Sequence, residues 1–135
     1  MPKEQLVKII DFWKRTAEEE SLFPRTLTDK INYKSKEIVD IVGSRRSGKS
    51  SVLKLIIKTL KEPNNWLYMN FEDPFFIENN QVRIIEELLE TFKEYYNPNL
   101  KYLFFDEIQN INNWEKGIRK LYDSGKYKIF ITGSS

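Results

Sequence analysis

Leu6, Ile10, Trp13 and Ala17 recur at helical spacing, so Lys3 to Glu20 is expected to form an amphipathic helix. Its apolar stripe is read first as a face that packs on a core, with docking of a partner as the other use. Ser21 to Lys30 breaks the pattern at Pro24 and leads into a short polar connection. Beyond it the period changes. EIVDIV (Glu37 to Val42), WLYMNF (Trp66 to Phe71), KYLFFDE (Lys101 to Glu107) and KYKIFIT (Lys126 to Thr132) are short, mostly apolar runs of strand length. Helical patterns separate them over Ser50 to Leu60, Gln81 to Tyr96 and Asn112 to Gly125. EDPFFIENN (Glu72 to Asn80) is expected to be a loop, and Glu62 to Asn65 and Asn97 to Asn99 are turns. Strands alternating with helices of this length imply an α/β fold with a parallel sheet and helices on both faces. The chain carries no internal repeat and no low-complexity tract.

The 135 residues suffice for one domain with a real core, and 40% hydrophobic with 14% aromatic residues argues for a globular chain. Every apolar run falls far short of a membrane span, and the charged start MPKEQLVKIIDFWKR is wrong for a secretory signal, so a cytoplasmic location is the default. The chain has neither Cys nor His, which removes disulfides, thiolate chemistry, histidine triads and histidine-ligated metals. Net charge is +2, from 22 basic and 20 acidic residues mixed along the chain. The densest basic groups are only Arg45-Arg46 and Arg119-Lys120, so charge alone gives no support for nucleic acid, and that partner stays open.

The chemistry concentrates in GSRRSGKS, Gly43 to Ser50, a complete G-x-x-x-x-G-K-[ST] phosphate-binding loop between an expected strand and an expected helix. Loop N–H groups and a helix N-terminus form a concave anion site there, which assigns Gly43, Ser44, Arg45, Arg46, Ser47, Gly48, Lys49, Ser50 and Ser51 to a bound nucleotide. Gly43 and Gly48 permit close backbone approach, Lys49 can reach the β- and γ-phosphates, and the Ser50 hydroxyl can ligate Mg2+. Arg45 and Arg46 are read first as facing solvent or a partner domain, with phosphate contact second. YLFFDE supplies what such a loop lacks. Asp106, at the end of an apolar strand, would point at the Mg2+ shell, and Glu107 is suited to orient or deprotonate an attacking water. The adjacent pair favours hydrolysis of ATP over phosphoryl transfer to a small acceptor. The strand-helix unit Trp66 to Tyr96 separates the loop helix from the acidic strand, and its strand is expected between those two in the sheet, as in P-loop ATPases with a catalytic Glu.

GSRRSGKSS, YMNFEDP, YLFFDEIQNINNWEKGIRKLYDSG and KIFITGSS, in that order, resemble a group of prokaryotic, especially archaeal, AAA-type P-loop ATPases. The resemblance covers about Ile38 to Ser135. It implies that Lys49 and Ser50 bind phosphate and Mg2+, Asp106 is the metal-side acid and Glu107 the catalytic base. It also implies a polar γ-phosphate sensor after the fourth strand, with Ser134 the first choice and Thr132 the second. Asn70 is similar to the polar residue that restrains the catalytic Glu in related ATPases; a turn-favouring Asn at a strand end is the equal alternative. Leu22 to Arg25 stands where related ATPases cover the adenine. Trp114, beside Ile118, Leu121 and Tyr122, is read as a helix-to-core anchor before a ligand platform. Arg119 is read as part of a solvated helix face before an arginine finger.

The organisation expected is an N-terminal helix and connection over residues 1–30 and a P-loop ATPase core over residues 31–135. AAA-type cores continue with a fifth strand outside the phosphate-loop strand and a helical lid, so the core is expected to be incomplete after its fourth strand, with the phosphate-loop strand at an open edge. The function expected is ATP binding and, in the complete protein, Mg2+-dependent hydrolysis driving a conformational switch. The alternatives are a non-catalytic nucleotide-binding or assembly module and a nucleic-acid-linked switch ATPase. Weak turnover and self-association, or closure by a partner protein, are expected of the chain by itself.

Overall fold

Apolar runs too short for helices pair through their backbones, and four of them do so here. In the computed structural model, which describes residues 2–19, 35–42, 48–60 and 64–133, they form one parallel sheet. The strands are β1 (Val39–Val42), β2 (Trp66–Asn70), β3 (Tyr102–Asp106) and β4 (Lys128–Gly133), and their spatial order is β1-β4-β3-β2. The helices are α1 (Lys3–Glu19), α2 (Lys49–Thr59), α3 (Phe75–Glu78), α4 (Arg83–Tyr95) and α5 (Trp114–Asp123), with a 3-10 turn at Ile108–Asn110. The α/β class and the parallel sheet stand as expected.

The strand order corrects one expectation. β4, not the Trp66 strand, lies between the phosphate-loop strand and the acidic strand, and β2 occupies the far edge beside β3. The chain therefore crosses from one edge to the other after β1 and returns stepwise through β3 to β4. Right-handed crossovers put the helix of the outward step on one face and those of the returning steps on the other. Accordingly, Val52, Leu53 and Ile56 of α2 share one core with Tyr68, Phe104 and Phe130. Leu88 and Phe92 of α4 and Ile118 and Leu121 of α5 share the other with Leu67, Met69, Leu103, Phe105, Ile129 and Ile131. The rings of Phe104 and Phe130 stack at 4.6 Å between centroids.

β2 reads as a central strand because α1 covers it. Leu6, Ile9 and Ile10 enter the second core, Ala17 enters the first, and Trp13 packs against both. The apolar stripe of α1 thus packs on the core domain, as its first reading held. The Glu72 to Asn80 segment holds the short helix α3 where a loop is expected. Asp73 starts it, its carboxylate accepting the Phe75 N–H at 2.9 Å and its carbonyl the Phe76 N–H at 2.9 Å.

Candidate functional site

Because all four strands run the same way, the ends of β1, β3 and β4 and the start of α2 meet at one end of the sheet. Gly48 adopts φ 92°, a left-handed conformation that favours glycine, and α2 begins at the next residue. First-turn N–H groups of a helix have no intrahelical acceptor, and the positive end of the helix dipole lies there. Lys49, Ser50 and half-buried Ser51 occupy this turn. Gly43, Ser44, Arg45, Arg46, Ser47 and Ser134, together with Leu22 to Arg25, lie outside the described residues.

The parallel register of β2 and β3 pairs Tyr68 with Phe104 and Asn70 with Asp106. Side chains alternate along a strand, so Asp106 shares the α2 face with Phe104 and Tyr68. Its carboxylate is fully buried and accepts three hydroxyl hydrogen bonds. Tyr68 donates to Oδ2 at 2.6 Å, Ser50 donates to the same oxygen, and Thr132 donates to Oδ1 at 2.5 Å. Ser50 and Asp106, each expected beside Mg2+, are thus in direct hydrogen-bond contact. Lys49, the other expected phosphate ligand, is also buried; its ammonium donates to the Gly133 carbonyl at 2.6 Å and lies 3.3 Å from Glu107 Oε1.

Glu107 follows β3 with φ 56° and ψ 48°, a left-handed conformation that costs a non-glycine residue about 1–3 kcal/mol. Its N–H donates to Thr132 Oγ1 at 2.9 Å, and its carbonyl accepts from Asn110 Nδ2 at 3.0 Å. These bonds hold the turned backbone and aim the carboxylate back at Lys49. Gln109 Nε2 donates to Glu107 Oε2 at 3.1 Å. The other end of that amide, Oε1, is buried without a hydrogen-bond partner among the described residues and sits 3.1 Å from where a Cβ on Gly133 would lie. A side chain at position 133 would crowd this amide.

The structure thus brings Lys49, Ser50, Asp106 and Glu107 together, and adds Tyr68 and Gln109, which the sequence reading assigned no role. Thr132 spends its hydroxyl on the two acids. Asn70 accepts the Glu72 N–H at 2.9 Å in a local turn, and Gln109 donates an amide N–H to the Glu107 carboxylate. Trp114 packs on the core and, with Ile38, Ile118 and Ile131, lines a groove beside β1, in keeping with an anchor. Arg119 lies on the exposed face of α5, 3.6 Å from Asp123.

Lys49 and the carboxylates of Asp106 and Glu107 are buried together, and the oxygen donors Ser50 and Asp106 suit a hard cation. Among the described residues no group of three acidic side chains forms a self-contained metal cage. That composition fits Mg2+ carried in with phosphates, for which one or two protein oxygens are enough. Among the same residues no helix is long and apolar enough to cross a membrane.

The AAA domain family matches residues 35–135. An uncharacterized protein of Methanocaldococcus jannaschii is 46% identical over 96 residues, covering 70% of this chain and 20% of that protein. A second uncharacterized protein of that organism is 30% identical over 112 residues, covering 78% of this chain and 23% of its own length. An uncharacterized protein of Haemophilus influenzae matches at 30% over 112 residues, again 78% of this chain and 27% of that protein. The chain therefore spans about a fifth to a quarter of the curated relatives it matches. Among solved structures, C. elegans PCH-2 superposes with a TM-score of 0.50 at 13% identity, over 98% of this chain and 36% of that one, a likeness of fold.

Proposed function

This chain belongs to the AAA domain family, and from that premise we propose that it binds ATP at the start of α2 and supports Mg2+-dependent hydrolysis. The observation that carries the reading is the cluster of buried Lys49, Asp106 and Glu107 with half-buried Ser50 at the ends of parallel strands. Open parallel sheets bind ligands at that end.

The roles follow from what each side chain touches. The first-turn N–H groups and Lys49 offset phosphate charge. To do so Lys49 turns from Glu107 toward the incoming phosphate, which releases the carboxylate. Ser50 would offer a lone pair to the metal while its O–H goes on donating to Asp106. Asp106 keeps that hydroxyl oriented, and Thr132 ties it to the backbone of Glu107. Glu107 orients the attacking water and takes its proton, with Gln109 holding the second carboxylate oxygen. When bound beside Ser50 and Asp106, Mg2+ would supply neutralisation of phosphate charge. Ser134 and Thr132 remain the proposed sensors at the end of β4, with Thr132 acting through the acids it contacts.

Glu107→Gln tests this reading. It should keep ATP binding and slow hydrolysis by about 10²–10⁴-fold, the usual share of positioned acid-base catalysis. Unchanged hydrolysis would reassign the base.

A further inference from the structure

Asp106 is a buried carboxylate whose hydrogen-bond partners among the described residues are all hydroxyls. A carboxylate has about four lone-pair sites. Tyr68 and Ser50 take the two on Oδ2 and Thr132 takes one on Oδ1. Ser50 and Thr132 belong to the loop helix and the sensor strand, so their hydroxyls stand at the nucleotide end in any case. Tyr68 does not. It lies in mid-strand on β2, at the far side of β3, and its whole ring is buried between Asp106 and α1. Trp13 of α1 packs on that ring at 6.1 Å between centroids, and the Lys54 ammonium lies 5.6 Å from its centre.

With Oδ2 occupied twice, that oxygen is set to act on the metal through the Ser50 hydroxyl, while Oδ1 keeps a lone pair toward the metal or its water shell. Such an arrangement works only while the carboxylate plane is fixed, because rotation would carry Oδ2 away from Ser50. Tyr68 supplies the fixation from outside the phosphate-binding elements. Trp13 in turn fixes Tyr68, and its indole N–H donates to Asp73 Oδ2 at 2.9 Å, just after β2.

We propose that Tyr68 is a positioning residue for metal binding, holding Asp106 so that Ser50 presents its oxygen to the Mg2+ of a bound nucleoside triphosphate. This rests on the nucleotide reading above, and it extends the site to β2 and, through Trp13, to α1, which precedes the matched family segment. Partners that orient a metal's ligands typically change affinity by about 10–100-fold when removed.

The test is calorimetric titration of ATP into the whole chain and into Tyr68→Phe, each with Mg2+ and with a chelator. Tyr68→Phe keeps the ring against Trp13 and removes only the hydroxyl. The expected result is a loss of about tenfold in the affinity gained from Mg2+, with metal-free affinity changed less than twofold. Equal Mg2+ gain in both proteins would overturn the role of Tyr68 while leaving nucleotide binding standing. A wild-type chain that binds no ATP would overturn both. Should the variant fail to fold, the wild-type protein carries the test by NMR. The Tyr68 hydroxyl proton should shift with Mg·ADP and hold still with ADP plus chelator; an identical spectrum in the two states would overturn the proposal.

Discussion

Thr132 donates its hydroxyl proton to Asp106 Oδ1 at 2.5 Å. Thr132 Oγ1 also accepts the N–H of Glu107, so one side chain on β4 fixes both acids at the end of β3. Thr132→Val keeps the shape and deletes both bonds, leaving a buried carboxylate oxygen and a buried N–H without this partner. The expected cost is about 1–3 kcal/mol of unfolding free energy. Thr132→Ser should recover most of it. Denaturant titration of the three proteins decides; a Val variant as stable as wild type would mean that other groups take over both bonds.

Ile10 on α1 is fully buried in the core that also holds Leu67, Leu88 and Phe105. Ile10→Ala should destabilise the whole domain by about 2–5 kcal/mol in a single cooperative transition. A local change confined to α1, with the sheet melting as before, would make the helix an appendage.

Lys128 is buried at the start of β4, where its ammonium donates to Ser35 Oγ and the Glu37 carbonyl. Burial pulls its pKa below the ordinary 10.5, against a smaller opposing pull from Glu37. The folded chain then holds this proton less tightly than the unfolded chain. In the window between the lowered value and 10.5 the unfolded state binds more protons, so stability from this residue rises with pH. The stability of wild type minus that of Lys128→Met should therefore increase as pH rises through that window. Denaturant titrations at a series of alkaline pH values measure it, and a difference that stays flat or falls would contradict the assignment.

The elements were legible in the sequence because apolar runs and helical stripes alternate cleanly. Their spatial order was not. Trp66 to Asn70 is as apolar as a central strand, and it lies at an edge only because α1 covers it. Lys49, Ser50, Asp106 and Glu107 could be named from spacing, since the phosphate loop and the acidic strand end carry their own patterns. Tyr68 could not, because an aromatic inside WLYMNF reads as core. Only the register that pairs Asn70 with Asp106 sends its hydroxyl to the carboxylate. Gln109 stood within a family block, but the left-handed turn at Glu107 is what brings its amide back onto that side chain.

Lys49 and its neighbours are proposed to form a nucleotide site. Lys49 holds the Gly133 carbonyl and faces Glu107, so replacing it lowers stability and removes a charge-assisted contact to phosphate, and affinity is compared at a temperature where the variant is folded. Such a contact is worth about 1.5–3 kcal/mol, or more than tenfold in affinity. Calorimetric titration of Mg·ATP into wild type and Lys49→Ala tests it most directly. Saturable binding to wild type and at least a tenfold weaker isotherm for the folded variant are expected; equal affinity in the two proteins would remove Lys49 from the site.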